Sequence, residues 1–259
     1  MKKCERTFKA RACEGGDGMV HTVGLARIVD WLGRTLRVDD FDDVSNNGLQ
    51  IARACADVRR AAVAVDASVR AVEAAARAGA GLLVVHHGIS WGGGIRRLEG
   101  GVYGVVRAAI TADVAVYACH LPLDAHATLG NNAQLAKLLG LRGVRPAFSY
   151  HGNVIGCVGE CQRARTVEIG GRRYDIPRGL VGVCSGGAGE FAEEAKRLGC
   201  ALYVTGEASW GEVVAAENCG MRMVCAGHYA TEVLGVRAVA AAMRRSLKIP
   251  VDDLTVVLA

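Results

Sequence analysis

Residues 61–65 (Ala-Ala-Val-Ala-Val), 82–85 (Leu-Leu-Val-Val) and 114–119 (Val-Ala-Val-Tyr-Ala-Cys) are short apolar runs, each followed by polar residues and a stretch with helical spacing. This alternation constrains the fold more than any other feature. Strand-length apolar runs separated by amphipathic helices predict a mostly parallel sheet with helices on its faces. Leu25, Ile28, Val29, Leu32 and Leu36 predict a first helix over 23–36. Further helices are expected over 68–78, with Ser68 as N-cap and Gly79 just past its end, over 102–111 and over 132–139. From residue 154 the character changes. Strands are expected at 154–161 and 166–169, with Gly170-Gly171 turning a hairpin. Strand–helix units then resume: strands at 180–184, 202–205 and 222–225, helices at 189–198, 209–218 and 231–247. The reading is α/β, with a disordered leader at 1–18, an N-terminal α/β lobe at 19–150 and a C-terminal α/β lobe at 151–259.

The chain has 259 residues, enough for a large buried core, and a formal charge of +5. Lys2, Lys3, Arg6, Lys9 and Arg11 stand against Glu5 in the first eleven residues, so the rest is almost neutral and a nucleic-acid surface is not supported. No apolar run reaches the ~18 residues of a membrane span, and the basic start lacks the apolar segment of a secretory signal. Helical patterning begins just after Met19, which is a candidate start. A cytoplasmic protein is expected. The ten cysteines form no C-x-x-C pair and read as small buried hydrophobes, including Cys157 and Cys161, which share one strand face.

Three of the predicted strands run into candidate metal ligands at their carboxyl ends, where open α/β sheets collect ligands. The first gives His86 and His87, the second His120 and Asp124, the third His228 and Glu232. Adjacent side chains on a strand face opposite ways, so His86 and His87 can share a site only if the strand has just turned into a loop; Gly88 permits that turn. If a helix starts near Tyr229, His228 and Glu232 lie about one turn apart on one side of it. Imidazole and carboxylate donors suit zinc, manganese or iron without any thiolate. Each histidine could alone be a capping or core residue; their shared position after apolar strands argues for a metal site. Other residues have blander readings. Trp91 and Trp210 could stack on a ring but fit packing; Ser185-Gly186-Gly187 could face phosphate but fits a turn. Glu207 could carry protons but fits the cap of the next helix, and His126 could bind an anion but fits a solvated loop.

His-His-Gly-Ile-Ser-Trp-Gly-Gly (86–93), His-Leu-Pro-Leu-Asp-Ala-His with Gly-Asn-Asn-Ala (120–133), and Thr-Gly-Glu with Ala-Gly-His-Tyr-Ala-Thr-Glu (205–232) resemble the NIF3-like family, labelled GTP cyclohydrolase I type 2 homolog. Asn46-Asn47-Gly48-Leu49-Gln50, Gly156 to Glu160 and the Ser-Gly-Gly turn fit in order, so the likeness spans about residues 20 to 258. The resemblance implies a two-lobed NIF3-like fold in its short form, without an inserted domain. It also implies a dinuclear metal site between the lobes and a homohexamer. The family's ligands carry over to His86, His87, Asp124, His228 and Glu232, with Glu232 as the bridge. One departure is Trp210-Gly211, where the family often has two histidines.

On this basis the expected function is a dinuclear-metal-dependent hydrolase, two divalent ions activating a hydroxide that attacks a nucleotide or related small molecule. Taken literally, the family label means attack at C8 of GTP with release of formate. Glu207 and His120 are the candidate proton carriers. The alternative is a non-catalytic metal-handling or regulatory protein acting through partners.

Overall fold

The computed structural model describes residues 21–255, so the leader expected at 1–18 lies outside the described residues. A two-residue strand β1 (Val23–Gly24) runs into α1 (Leu25–Leu36), whose Leu25, Ile28, Leu32 and Leu36 are buried at helical spacing. Then follow β2 (Gly48–Ile51), β3 (Asp57–Val58), β4 (Ala61–Asp66), α2 (Val69–Arg77) and β5 (Leu82–His87). Ser68 caps α2 by accepting from Ala71 N, as its sequence position predicts. Next come α3 (Gly100–Ala112), β6 (Ala115–Ala118), α4 (Leu121–Ala125) and α5 (Asn131–Leu138). The five-stranded first sheet has the order β14-β4-β5-β6-β2, where β14 (Val251–Asp253) is the last strand of the chain. It is parallel except for β2.

The second half contains β7 (Arg142–Tyr150), β8 (Asn153–Cys161), the hairpin β9 (Arg165–Ile169) and β10 (Arg172–Ile176), and β11 (Gly179–Gly187). A 3-10 turn at Gly189–Phe191 leads to α6 (Ala192–Arg197), then β12 (Leu202–Glu207), α7 (Trp210–Asn218), β13 (Met223–Cys225) and α8 (His228–Leu247). The second sheet has the order β13-β12-β11-β8-β7. Its β11, β12 and β13 are parallel, but β8 and β7 join antiparallel, so it is mixed where a mostly parallel sheet was expected.

Two further differences concern the lobes. Strand β7 already belongs to the second sheet, so the crossover falls before Arg142 rather than near 145–155. Strand β14 returns to the first sheet, so no single cut in the chain separates the two. Both strands lie at sheet edges. β7 carries Arg142, Arg145 and Pro146, all exposed, the mixture of charge and proline that blunts an edge and hides a strand from apolar patterning.

Helix α8 joins the halves. Val236, Val239, Ala240, Met243 and Leu247 pack with α1 against one face of the first sheet, while α2 and α3 cover its other face. Ala230 and Leu234 pack toward α5 and the second sheet. Being apolar toward two sheets, α8 brings its own amino end into the cleft between them. Among the described residues, no helix is long and apolar enough to cross a membrane.

Buried Asn131, at the start of α5, fixes this arrangement. Its side-chain carbonyl accepts from Gly235 N within α8 at 2.7 Å, and its amide donates to Asp124 Oδ1 at 2.8 Å. Replacing it by alanine orphans a buried N–H and loosens a buried carboxylate, at a cost of about 1–3 kcal/mol. Urea unfolding of metal-free Asn131→Ala should show a lower midpoint at unchanged slope. An unchanged midpoint would refute the coupling.

Candidate metal centre

The strand-end residues converge as the sequence suggests, but the first pair does so by another route. β5 continues through His87, which pairs with Asp66 of β4, so both histidines are still on the strand. Leu82 and Val84 face α1 and α8, whereas Leu83 and Val85 face α2 and α3, so alternation sends His86 and His87 to opposite faces. They nevertheless meet at one carboxylate, because at the end of the strand their rings reach over its edge. His86 Nε2 is 3.5 Å from Glu232 Oε1, and His87 Nε2 is 3.4 Å from Glu232 Oε2. Gly88 serves close approach instead of a turn: a Cβ there would lie 2.2 Å from Gln50 Oε1. That oxygen accepts from Ile89 N and Ser90 N, holding the loop after the histidines.

Glu232 is the centre of the cluster. His228, one turn earlier on α8, places Nε2 3.0 Å from Oε1, and Asp124 Oδ2 lies 3.6 Å from His86 Nε2. Three overlapping sets have ligand atoms within 4.8 Å of one another: His87, His228 and Glu232; His86, Asp124 and Glu232; His86, His87 and His120. Each of the four imidazoles is fixed from behind at Nδ1. His86 donates to Cys119 O at 3.0 Å, His87 to Asp66 at 2.8 Å, and His120 and His228 to Asp43 and Glu207, both at 2.9 Å. With the proton on Nδ1, every Nε2 is left as a lone-pair donor, the arrangement that orients histidine ligands.

Two buried polar atoms in this cluster have no hydrogen-bond partner among the described residues, His86 Nε2 and Glu232 Oε2. Orphaned atoms of this kind are costly in a protein interior, and a cation between them removes the cost. The electrostatics agree. Burial pushes His86 down, but the Asp124 and Glu232 carboxylates outweigh it and raise the imidazole to about 9. His228 is raised to about 9, chiefly by its hydrogen bond to Glu232. Glu232, although burial pushes it up, is held well below the usual carboxylate range by His86 and His228. The metal-free cluster thus substitutes protons for cations, and the residues fit divalent ions with nitrogen and oxygen donors.

The remaining candidates divide. His120 joins the cluster with His86 and His87. Glu207 is not the helix cap: Ser209 and Glu212 form a capping box, and Glu207 instead receives His228 Nδ1–H. In and just after the Ser185 to Gly187 stretch, three backbone amides are committed within the protein. Ser185 N donates to Asn132, Gly186 N to Thr231 Oγ1 and Ala188 N to Thr205 Oγ1, while Ser185 Oγ bonds Asp124 Oδ1 at 3.0 Å. Trp91 packs edge-on at 5.1 Å from the His120 ring, whereas Trp210 is 80% exposed on α7. His126 is bonded to Thr35 O and Leu129 N, a structural role. Cys157 and Cys161 are buried free thiols, as expected, whereas Cys225 is exposed and Cys55 is disulfide-bonded.

Sequence reasoning misses the residues behind the ligands. Asp66 ends the strand beside β5 and is open to the same strand-end logic. Asp43 lies in a polar loop without periodicity; it accepts from His120, Leu121 N, Ser45 N and Asn47. Burial raises this carboxyl, yet those donors lower it to about 2. Asn47 also accepts from His120 N, so the stretch from Asn46 to Gln50 braces the loops that carry His87 and His120.

A cavity of about 240 Å³ opens beside the cluster, lined by His87, His120, Asp124, His228 and Glu232 on one side and by Leu121, Ile155 and Phe191 on the other. An α/β protein of two sheets with a buried histidine–carboxylate cluster between them is the class that fold and site define. The sequence pattern of the Duf34/NIF3 (NGG1p interacting factor 3) family matches residues 23–172 and 177–258, and the chain belongs to that family. A Deinococcus radiodurans protein named GTP cyclohydrolase 1 type 2 homolog is 41% identical over 245 residues, spanning 88% of this chain and 91% of its own. The solved structure of protein ybgI, described as of unknown function, superposes with a TM-score of 0.78 at 28% identity, over 90% of this chain and 98% of its own. TTHA1606 from Thermus thermophilus gives 0.72 at 28% identity over the same shares. The match to relatives of similar length identifies the short form, without an inserted domain.

A cation must displace protons held by His86 and His228, so metal binding in this cluster depends on pH. Apparent manganese affinity, measured by chelator competition, should rise by up to about one decade per pH unit for each ion from pH ~6.5 and level off above about 9. The sign for stability is opposite. Raised histidines stabilise the metal-free fold below their unfolded value near 6.5, and that contribution disappears as pH rises through about 9. An affinity flat across this window would contradict both. Separately, Gly186 has φ +69, and a Cβ there would lie 2.5 Å from Glu232 Oε1. Gly186→Ala should therefore weaken metal binding at least tenfold while far-ultraviolet dichroism stays native.

Proposed function

We propose that the chain is a metal-dependent hydrolase of a small molecule, holding two divalent cations, zinc, manganese or iron, between its sheets. The observation that carries this reading is the pair of buried, partnerless atoms, His86 Nε2 and Glu232 Oε2, inside a set of nitrogen and oxygen donors. His87, His228 and Glu232 would hold one cation, and His86, Asp124 and Glu232 the other. The ions would supply a water acidic enough to react near neutrality and a Lewis acid for the group attacked.

The chain's own residues do the rest. Asp66 and Glu207 keep the lone pairs of His87 and His228 turned inward. His120, fixed by Asp43 at the cavity wall, takes up or returns a proton at Nε2. Glu207 therefore acts through His228 instead of carrying protons itself. The cavity beside the cluster favours turnover over metal storage, since a storage site needs no adjoining space. The name of the Deinococcus radiodurans relative makes GTP, opened at C8 with release of formate, the named candidate; other C–N and phosphate ester bonds form the wider class. The same reading makes the protein a cytoplasmic homohexamer whose partner is a small molecule, not a nucleic acid or a membrane.

The test begins with metal content. Wild-type protein should retain two ions per chain after dialysis, whereas His87→Ala and Glu232→Ala should retain one or none. Full stoichiometry in both variants would defeat the assignment. Formate release from GTP would then identify that substrate, and its absence with every metal would remove the nucleotide reaction while leaving the wider class.

A further inference from the structure

The cavity beside the cluster has a charge character that bears on its ligand. Among the described residues that line it there is no lysine or arginine, and the neighbouring cavity, which shares Leu121 and Tyr150 and adds Asp42 and Asp43, has none either. Glu190, in the 3-10 turn after β11, lines the cavity with an exposed carboxylate that forms no hydrogen bond or ion pair with any described residue. Its charge reaches inward, adding to the upward push on the Cys184 and Tyr203 side chains below. Asp124 and Glu232 face the cluster, and Asp43, Asp66 and Glu207 stand behind its imidazoles. Six carboxylates outweigh two divalent cations, so even a loaded site is not positive. The backbone amides best placed to greet an anion, those of Ser185, Gly186 and Ala188, are already donated within the protein.

Sites that take nucleoside triphosphates pair the metal with lysine, arginine or free backbone amides on the phosphates. Among the described residues, this cavity offers no lysine or arginine, and the amides of Ser185, Gly186 and Ala188 are already committed within the protein. At about 240 Å³ it also falls below the ~300–1,000 Å³ range that encloses drug-sized ligands. Its lining also includes the apolar side chains of Leu121, Ile155 and Phe191. We infer that the substrate is a small, uncharged or cationic molecule with an apolar part, that polyphosphates are rejected, and that Glu190 sets this preference. The inference rests on the hydrolase reading for the reacting centre; within that reading it sets GTP aside and keeps uncharged or cationic C–N compounds such as amides, cyclic amides and amidines.

The test uses three ligands of one shape and different charge, benzamidine, benzamide and benzoate, together with GTP, titrated calorimetrically into the manganese-loaded full chain and again after chelation. Benzamidine should bind at least about tenfold more tightly than benzoate or GTP, with benzamide between. Glu190→Gln should narrow the gap, and Glu190→Lys should reverse the order of benzamidine and benzoate without changing metal content or melting temperature. Tighter binding of benzoate or GTP by the wild type, an order unmoved by Glu190→Lys, or no saturable benzamidine binding would each overturn the inference. Should the wild type hold none of manganese, zinc and iron, the hydrolase reading falls, while the charge order measured on the metal-free cavity still decides this one.

Discussion

A carboxylate enclosed by imidazoles is the interaction on which the rest of this structure depends. Glu232 is 3% exposed, and taking such a charge out of water costs several kcal/mol unless it is matched. His86, His87 and His228 match it, but they come from different places: two from the end of a strand in the first sheet, one from the helix that carries Glu232 itself. The site therefore exists only when sheet and helix are docked. Burial of Val236, Val239, Met243 and Leu247 on the same helix, roughly 1.5–3 kcal/mol each, supplies the free energy for that docking.

The approach of the second sheet to this carboxylate explains a regularity in its sequence. Its three parallel strands end in Ser-Gly, Thr-Gly and Ala-Gly, at 185–186, 205–206 and 226–227. These glycines meet under the first turn of α8. A Cβ on Gly206 would be 2.5 Å from Gly186 O and 2.7 Å from Thr231 Oγ1, and Gly227 N bonds to Gly206 O at 2.8 Å. Any side chain there would push the helix, and with it Glu232, out of the cleft. The second sheet thus contributes nearness more than ligands, while its Ser185 and Glu207 steady Asp124 and His228.

Much of this is legible in the chain. Apolar runs ending in His86, His120 and His228 stand out because strand ends collect function, and the i, i+4 spacing of His228 and Glu232 fixes their common side once a helix is drawn. The features that escape have physical reasons. Strict strand alternation demands a turn after Val85, yet at a strand's last residue an imidazole is long enough to reach around to the other face. Glu207 looks like a cap because it precedes a helix; only the fold shows His228 beside it and Ser209 already capping. β7 is invisible because an edge strand bearing arginine and proline has no apolar period. Asp43 is invisible because its loop has no period of any kind.

The outer partners show why the histidines are so firmly held. Three of the four donate to carboxylates and one to the Cys119 carbonyl. A carboxylate behind an imidazole makes its inward nitrogen a stronger donor, whereas a carbonyl mainly orients it. The fully buried ring, His86, has the carbonyl; behind the other rings, Asp66 and Glu207 are exposed, where water screens their charge, whereas Asp43 is buried and is matched by its four hydrogen-bond donors. A carboxylate behind His86 would have added a further buried anion beside Asp124 and Glu232. For His86, His87 and His228 the partner at Nδ1 therefore follows from the depth of the ring, whereas at His120 it follows from the donors that Asp43 gathers in its loop.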